Sequence, residues 1–263
     1  EVLAVFTAIE DGGRALIDGS APQEERRPRR RRGGGTSPSR DALSPNGQWE
    51  PFVRDHNLWL RHTETKKERQ LSTDGTAEDS FHRDASRARL MGMQYDTPDF
   101  PEDQARVIWS PDSKYVVALR TRQVTERRVY MVESSPKDQL QPKLHSYPYL
   151  KPGDDIPVGL PHLFNVDTQQ ELEIERSLFA DPWSVGDIQW APDSSTFMFL
   201  FNQRGHQTLR VLAVDAATGK VRTVVNEACE TFFDYSNKQF LQVLPDTREL
   251  IWMSERSGWN HLY

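Results

Sequence analysis

From residue 43 onward the apolar residues fall in short, β-prone runs separated by polar turns, the pattern of strands joined by hairpins. A first unit reads as strands over residues 49–53, 58–61 and 69–71, with a polar turn at 63–66. The clearest unit spans 187–225, with strands at 188–190, 196–201, 209–214 and 221–225. Its last turn, 215–220, puts Gly219 where a hairpin loop requires a left-handed residue. Four short strands in succession, each tied to the next by a tight turn, predict a four-stranded antiparallel blade.

One phrase recurs in these units. It is written Leu43-Ser44-Pro45-Asn46-Gly47, Trp109-Ser110-Pro111-Asp112-Ser113, Trp190-Ala191-Pro192-Asp193-Ser194 and Val243-Leu244-Pro245-Asp246-Thr247. Proline presets φ at the first corner of a turn, and Asp or Asn bonds the backbone that follows, so each copy predicts a hairpin. Apolar runs follow at 49–53, 115–119, 197–201 and 250–253. A hairpin repeated in this way marks a propeller built of blades. The turn prolines stand 66, 81 and 53 residues apart, whereas a regular WD-type repeat holds near ~40–45 residues. The expected fold is therefore all-β: an incomplete β-propeller of four-stranded antiparallel blades over residues 43–263, with insertions. One insertion, 134–161, holds six prolines at irregular intervals and is expected to be an ordered surface loop. The last unit opens at Phe240 and is expected to stop inside its third strand at Tyr263.

Residues 1–42 follow other rules. Positions 21–40 carry seven Arg and two Glu, with a basic run at 26–32 followed by three glycines. Such a segment buries too little apolar surface to offset chain ordering, so 1–42 is expected to be disordered or non-native. Against a net charge of −6 for the whole chain, the +5 of positions 21–40 leaves −11 for the rest. An acidic folded part repels nucleic acid, and only the arginine run offers an anionic partner any attraction. Cys229 is the sole cysteine, which excludes an intrachain disulfide and a thiolate zinc cluster. No apolar stretch has the length to span a bilayer. The short run at 2–9 is flanked by Glu1, Glu10 and Asp11, where a secretory signal requires basic residues.

Catalytic chemistry is sparse. A hydrolase nucleophile sits in Gly-x-Ser-x-Gly at a strand-to-helix turn. Pro182-Trp183-Ser184-Val185-Gly186 comes nearest, but it has Pro182 in place of the first glycine and leads into a blade strand. Gly35-Thr36-Ser37-Pro38-Ser39 lacks the closing glycine. His56, His62, His82, His145, His162, His206 and His261 show no metal-binding spacing. Cys229 lies beside Glu227 and Glu230, whose charge disfavours the thiolate. No Gly-rich phosphate loop occurs. The expectation is no catalytic residue, no metal and no cofactor within this chain.

Several stretches together resemble the N-terminal propeller region of the dipeptidyl peptidase IV family, in the prolyl oligopeptidase class of serine peptidases. They are Trp252-Met253-Ser254-Glu255-Arg256-Ser257-Gly258-Trp259-Asn260-His261-Leu262-Tyr263, Phe201-Asn202-Gln203-Arg204-Gly205-His206-Gln207, Phe52-Val53-Arg54-Asp55-His56-Asn57-Leu58-Trp59-Leu60, and the segment 147–167. The likeness covers 43–263, and the closing stretch is its most specific part. The resemblance implies a multi-blade propeller followed by an α/β-hydrolase domain that removes N-terminal dipeptides, often after proline. It implies that the propeller restricts access to the serine and supplies paired glutamates for the substrate's α-amino group. Two adjacent carboxylates would hold an ammonium by charge-assisted hydrogen bonds. The pair is expected shortly before Trp109-Ser110, where this chain has no Glu-Glu. Glu78-Asp79 and Glu102-Asp103 are the adjacent acidic pairs between the first two turns, and neither stands at the implied distance.

The expected function is that of the propeller portion of a dipeptidyl peptidase IV-like serine exopeptidase, gating and docking peptide substrate for a hydrolase domain outside this chain. The missing Glu-Glu pair motivates the alternative, a stand-alone propeller that binds protein partners.

Overall fold

The turns at Pro111-Asp112 and Pro192-Asp193 each join two antiparallel strands, whereas the turn at Pro45-Asn46 leads into the first described strand. The computed structural model describes residues 43–244 and 249–263. Strands β1 (Trp49–Arg54), β2 (Asn57–His62) and β3 (Glu68–Gln70) form the first antiparallel sheet in the order β1-β2-β3. Then come β4 (Asp79–Ser80), β5 (Val107–Trp109), β6 (Tyr115–Arg122), β7 (Arg128–Glu133), β8 (Lys143–Pro148), β9 (Gly159–Asn165) and β10 (Gln170–Leu172). The second sheet runs β5-β6-β9-β10, and β4 pairs the far end of β6. A short helix, α1 (Ser86–Leu90), lies between β4 and β5. The third sheet is β11 (Pro182–Trp190), β12 (Thr196–Gln203), β13 (Thr208–Asp215) and β14 (Val221–Ala228), in sequential order. The fourth joins β15 (Leu241–Leu244), β16 (Glu249–Ser254) and β17 (His261–Leu262).

Continuous apolar strands make sense once the sheets stack face to face. Successive side chains of a strand point to opposite faces, so a central strand serves two cores. In β6, Val116 and Ala118 join Leu58, Leu60 and Trp49 of the first sheet, while Val117 turns the other way toward Phe197, Phe199 and Phe201. In β12 the alternation repeats: the three phenylalanines face the second sheet, and Leu200 faces Trp252 of the fourth. Three cores thus separate four sheets, which is the packing of consecutive propeller blades. The structure is a partial β-propeller.

Two details differ from the sequence reading. The insertion at 134–161 is not a plain loop, because its strand β8 pairs with β7, which directly precedes the insertion, joining Val129 to Tyr147 and Val132 to Leu144. The prolines allow it: Pro136 and Pro142 fall between the strands, and Pro148 ends β8, positions that spare the ladder's N–H groups. The inner strand of the third blade also starts at Pro182, ahead of 188. Irregular pairing near Gly186–Gln189, with Asp187 at φ 51°, breaks the alternation on which the shorter assignment rests. The expected disorder of 1–42 and the turn at Pro245-Asp246 fall outside the described residues.

The recurring turn does more than reverse the chain. Within a copy, the Ser110 hydroxyl donates to Asp112 Oδ1 at 2.7 Å and accepts the Tyr115 N–H at 2.9 Å, and Ser44 plays the same part toward Asn46 and Trp49. Burial pushes the Asp112 carboxyl up, but the hydroxyl and the Lys114 N–H outweigh it and hold the group below the usual carboxylate range. Between copies, the Asn46 N–H donates to Ser113 Oγ and the Asp112 N–H to Ser194 Oγ, each at 3.1 Å. The fifth residue of one phrase therefore staples the preceding blade's turn. Ser113 and Ser194 are buried and left-handed, at φ 63° and 61°. We expect Ser194→Ala to lower the unfolding free energy by about 1–2 kcal/mol, because the Asp112 N–H loses its acceptor. Ser194→Gly should lose less, since glycine is relaxed at positive φ. Urea titration of both variants checks the order, and equal stability of Ser194→Ala and the parent would remove the staple.

The closing stretch Ser254-Glu255-Arg256 is a second staple. Buried Glu227 of β14 accepts hydrogen bonds from the Ser254 hydroxyl and from Arg256, whose Nε stands 3.1 Å away. Arg256 in turn lies 4.6 Å from the Tyr263 ring. Trp252 and Tyr263 exchange backbone hydrogen bonds of 2.9 and 2.8 Å. The motif's polar residues lock the fourth blade to the third.

Candidate functional site

Strand direction sorts the loops into two ends. The Pro-Asp turns join β5 to β6 and β11 to β12 at one end of the blades. At the other end β5, β9 and β11 begin and β6 finishes, and there the segment between β4 and β5 folds over the sheets. It roofs a cavity of about 590 Å³ whose walls include Arg83, Asp84, Arg87, Phe100, Arg106, Leu119, Trp183, Ser184 and Tyr235. Helix α1 carries Arg87. Arg106 stands directly before β5, and Trp183 is the second residue of β11.

Aromatic rings shape one side. His206 stacks on Tyr235 at 4.3 Å and meets the edge of Trp183 at 4.7 Å. The His206 Nδ1 contacts Asn202 Oδ1 at 3.0 Å, and burial lowers the imidazole below its ordinary pKa, favouring the neutral ring. Arg87 lies 5.6 Å from the Trp183 ring and donates Nη1 to the Pro157 carbonyl at 3.0 Å. Arg83 sits 4.0 Å from the Phe100 ring. Burial lowers the Arg87 pKa, and at the exposed rim partial desolvation with the like charge of Arg83 lowers that of Arg106.

A second cavity of about 590 Å³ lies alongside, sharing His82, and is lined by Asp55, His56, Glu102 and Asp103. Asp55 and His56 are left-handed, at φ 50° and 66°. The structure therefore brings Glu102-Asp103 to the same end of the blades as the arginines. Glu78-Asp79 lies at this end too, at the start of β4, but Asp79 is engaged: its Oδ2 stands 3.1 Å from Arg120 Nε in an ion cluster that also holds Asp74.

The remaining candidates are scattered. Ser184 lies within β11 opposite Asn202, in a strand rather than at a strand-to-helix elbow. Cys229 donates its backbone N–H to Gln207, and its neighbour Glu227 is turned to Arg256. His162 bridges Glu171 at 2.6 Å and Arg176 at 3.0 Å, and His145 pairs Glu133 at 2.9 Å. His62 packs edge-on to Trp49, and His261 is exposed in β17. Among the described residues no three His, Cys, Asp or Glu side chains group to hold a metal, and no helix is long and apolar enough to cross a membrane.

Arg83, Arg87 and Arg106 escaped the sequence reading. Their spacing follows no motif, and the walls opposite them come from positions 157–159, 183–185 and 235. The available signal was weak: an arginine-rich stretch between two turns of an otherwise acidic domain.

The family model described as the dipeptidyl peptidase IV N-terminal region matches residues 36–263. A "probable dipeptidyl-aminopeptidase B" of Pyrenophora teres f. teres is 26% identical over 227 residues, covering 78% of this chain and 24% of that protein. A protein of the same name from Talaromyces stipitatus is 29% identical over 200 residues, covering 71% and 21%. The crystal structure of Porphyromonas gingivalis dipeptidyl peptidase 4 matches the fold with a TM-score of 0.57 at 18% identity, over 84% of this chain and 30% of that one. The chain thus spans about a quarter of the length of the curated relatives it matches. Blades, closing motif and family match agree, and the chain belongs to the dipeptidyl peptidase IV N-terminal region family.

Proposed function

We propose that this chain is the propeller portion of a dipeptidyl peptidase IV-like serine exopeptidase, in which it gates and docks peptides for a hydrolase domain. The carrying observation is that the family match takes in every described blade, while relatives named for dipeptide removal extend well beyond it. The cavities at one end of the blades support the reading. They are concave, mixed in polarity and built on strand ends that the cores hold rigid. A rigid rim of this kind selects by access: an extended peptide enters, and a folded protein does not.

The test uses the protein made from the complete reading frame that contains these residues. It should release dipeptides from the N-termini of short Xaa-Pro peptides, react with a fluorophosphonate serine probe, and leave folded proteins uncut. A full-length product that neither labels nor releases dipeptides overturns the proposal.

A further inference from the structure

We propose that the cavity under helix α1 is a carboxylate-binding site, in which Arg83, Arg87 and Arg106 take an acidic group of a peptide and Phe100, Trp183 and Tyr235 hold its apolar body. The ligand's being a peptide rests on the docking function proposed above; the carboxylate preference rests on the cavity itself.

Charge makes the first argument. Three guanidinium groups face one carboxylate, Asp84, among the cavity's walls. Asp84 is already engaged: Oδ1 accepts the Ser86 N–H and hydroxyl at 2.9 and 2.6 Å, and Oδ2 accepts Gln123 Nε2 at 2.8 Å. Elsewhere several arginines pair with acids, as in Arg54–Glu68, Arg61–Glu68, Arg89–Asp99, Arg120–Asp74 and Arg256–Glu227, while others bond neutral oxygens, as Arg69 does the Val166 carbonyl and Arg210 does Asn226. None of the three cavity arginines has an ion-pair partner among the described residues. What sets this cavity apart in a chain of net charge −6 is that three arginines converge on one cleft whose only carboxylate among the described residues is already hydrogen-bonded. Gathering them in a partly dry cleft is unfavourable, and a bound anion reverses the sign of that term.

Geometry makes the second. A guanidinium over an aromatic face keeps its N–H edge in plane and free, the arrangement that grips a carboxylate in bidentate fashion. Arg83 over Phe100 is held this way, at 4.0 Å; Arg87, 5.6 Å from the Trp183 ring, is anchored by its Nη1 on the Pro157 carbonyl and has its other N–H groups to offer. The cavity volume suits an organic ligand. Its aromatic walls give an amino-acid side chain a surface to bury, which a free phosphate lacks.

The experiment is a calorimetric titration of the full chain with three probes: acetyl-Ala-Glu-Ala-amide, its Gln isostere, and inorganic phosphate. The Glu peptide should bind roughly tenfold more tightly than the Gln peptide, the worth of one charge-assisted contact. That preference should collapse in Arg106→Gln and in Arg83→Gln and survive in Arg222→Gln, which lines a different cavity beside the Pro192-Asp193 turn. Arg106 is exposed and unpaired, so its replacement leaves packing intact, and an unchanged melting temperature verifies this. Equal affinity for the two peptides in the parent chain overturns the site. Phosphate that displaces the Glu peptide with equal affinity reduces it to a small-anion site and overturns the peptide assignment. Failure here with dipeptide release intact removes the carboxylate site alone. Glu-selective binding without dipeptide release removes the exopeptidase reading alone.

Discussion

Phe199→Ala is expected to cost about 3–5 kcal/mol of folding free energy, the range for deleting a buried aromatic ring. Phe199 has no exposed surface and stands in the core shared by the second and third blades. It meets the Phe179 ring edge-on at 5.2 Å and packs beside Phe197. Alanine leaves a void walled by Val117 and Leu163 on one sheet and by β12 on the other. Neither wall can collapse freely, because each strand also serves the core on its opposite face. Phe232→Ala is the control: that ring is 66% exposed, and its loss should stay within about 0.5 kcal/mol. Urea denaturation of both variants makes the comparison. A cost for Phe199→Ala below about 1 kcal/mol would be incompatible with an incompressible inter-blade core.

Gly219→Ala is expected to be nearly as damaging, although it adds a single methyl group. Gly219 sits at φ 71° in the hairpin between β13 and β14, where an L side chain costs about 1–2 kcal/mol. Conformation is only part of it. A Cβ at this position would stand 2.0 Å from the Glu173 carbonyl oxygen, a backbone atom that cannot swing aside. Displacing that segment adds about 1–3 kcal/mol by the usual cost of overpacking. Asp215 would resist a compensating shift: its carboxylate accepts from Thr218 and Ala217, and the Thr218 hydroxyl contact leads in holding its pKa down. Gly205→Ala is the matched control, since Gly205 is also left-handed, at φ 92°, but has open space around it. Thermal melts of the pair separate conformational strain from steric clash. Equal losses in the two would mean that the contact with Glu173 contributes nothing.

How the functional end of the blades was legible follows from these residues. Gly219 was marked as a left-handed turn residue from its hairpin alone, whereas its contact with Glu173, on a separate loop, left no trace in the local pattern. Trp183 and Ser184 drew notice through a resemblance to a nucleophile motif, and the fold instead puts them in a bulged inner strand beside His206 and Tyr235. Arg83 and Arg106 are 23 positions apart in the chain and become one electrostatic unit only when the segment before β5 doubles back.

The sequence by itself determined the strands, their turns and the repeat, because proline geometry, Asx bonding and apolar alternation act over a few neighbouring residues. Only the tertiary structure decided that the central strands are covered on both faces and by which sheets, that part of the proline-rich insertion pairs with the strand before it, and that three arginines share a cleft with one carboxylate. Those outcomes depend on distances between segments far apart in the chain, and both packing and Coulomb energy are functions of that distance.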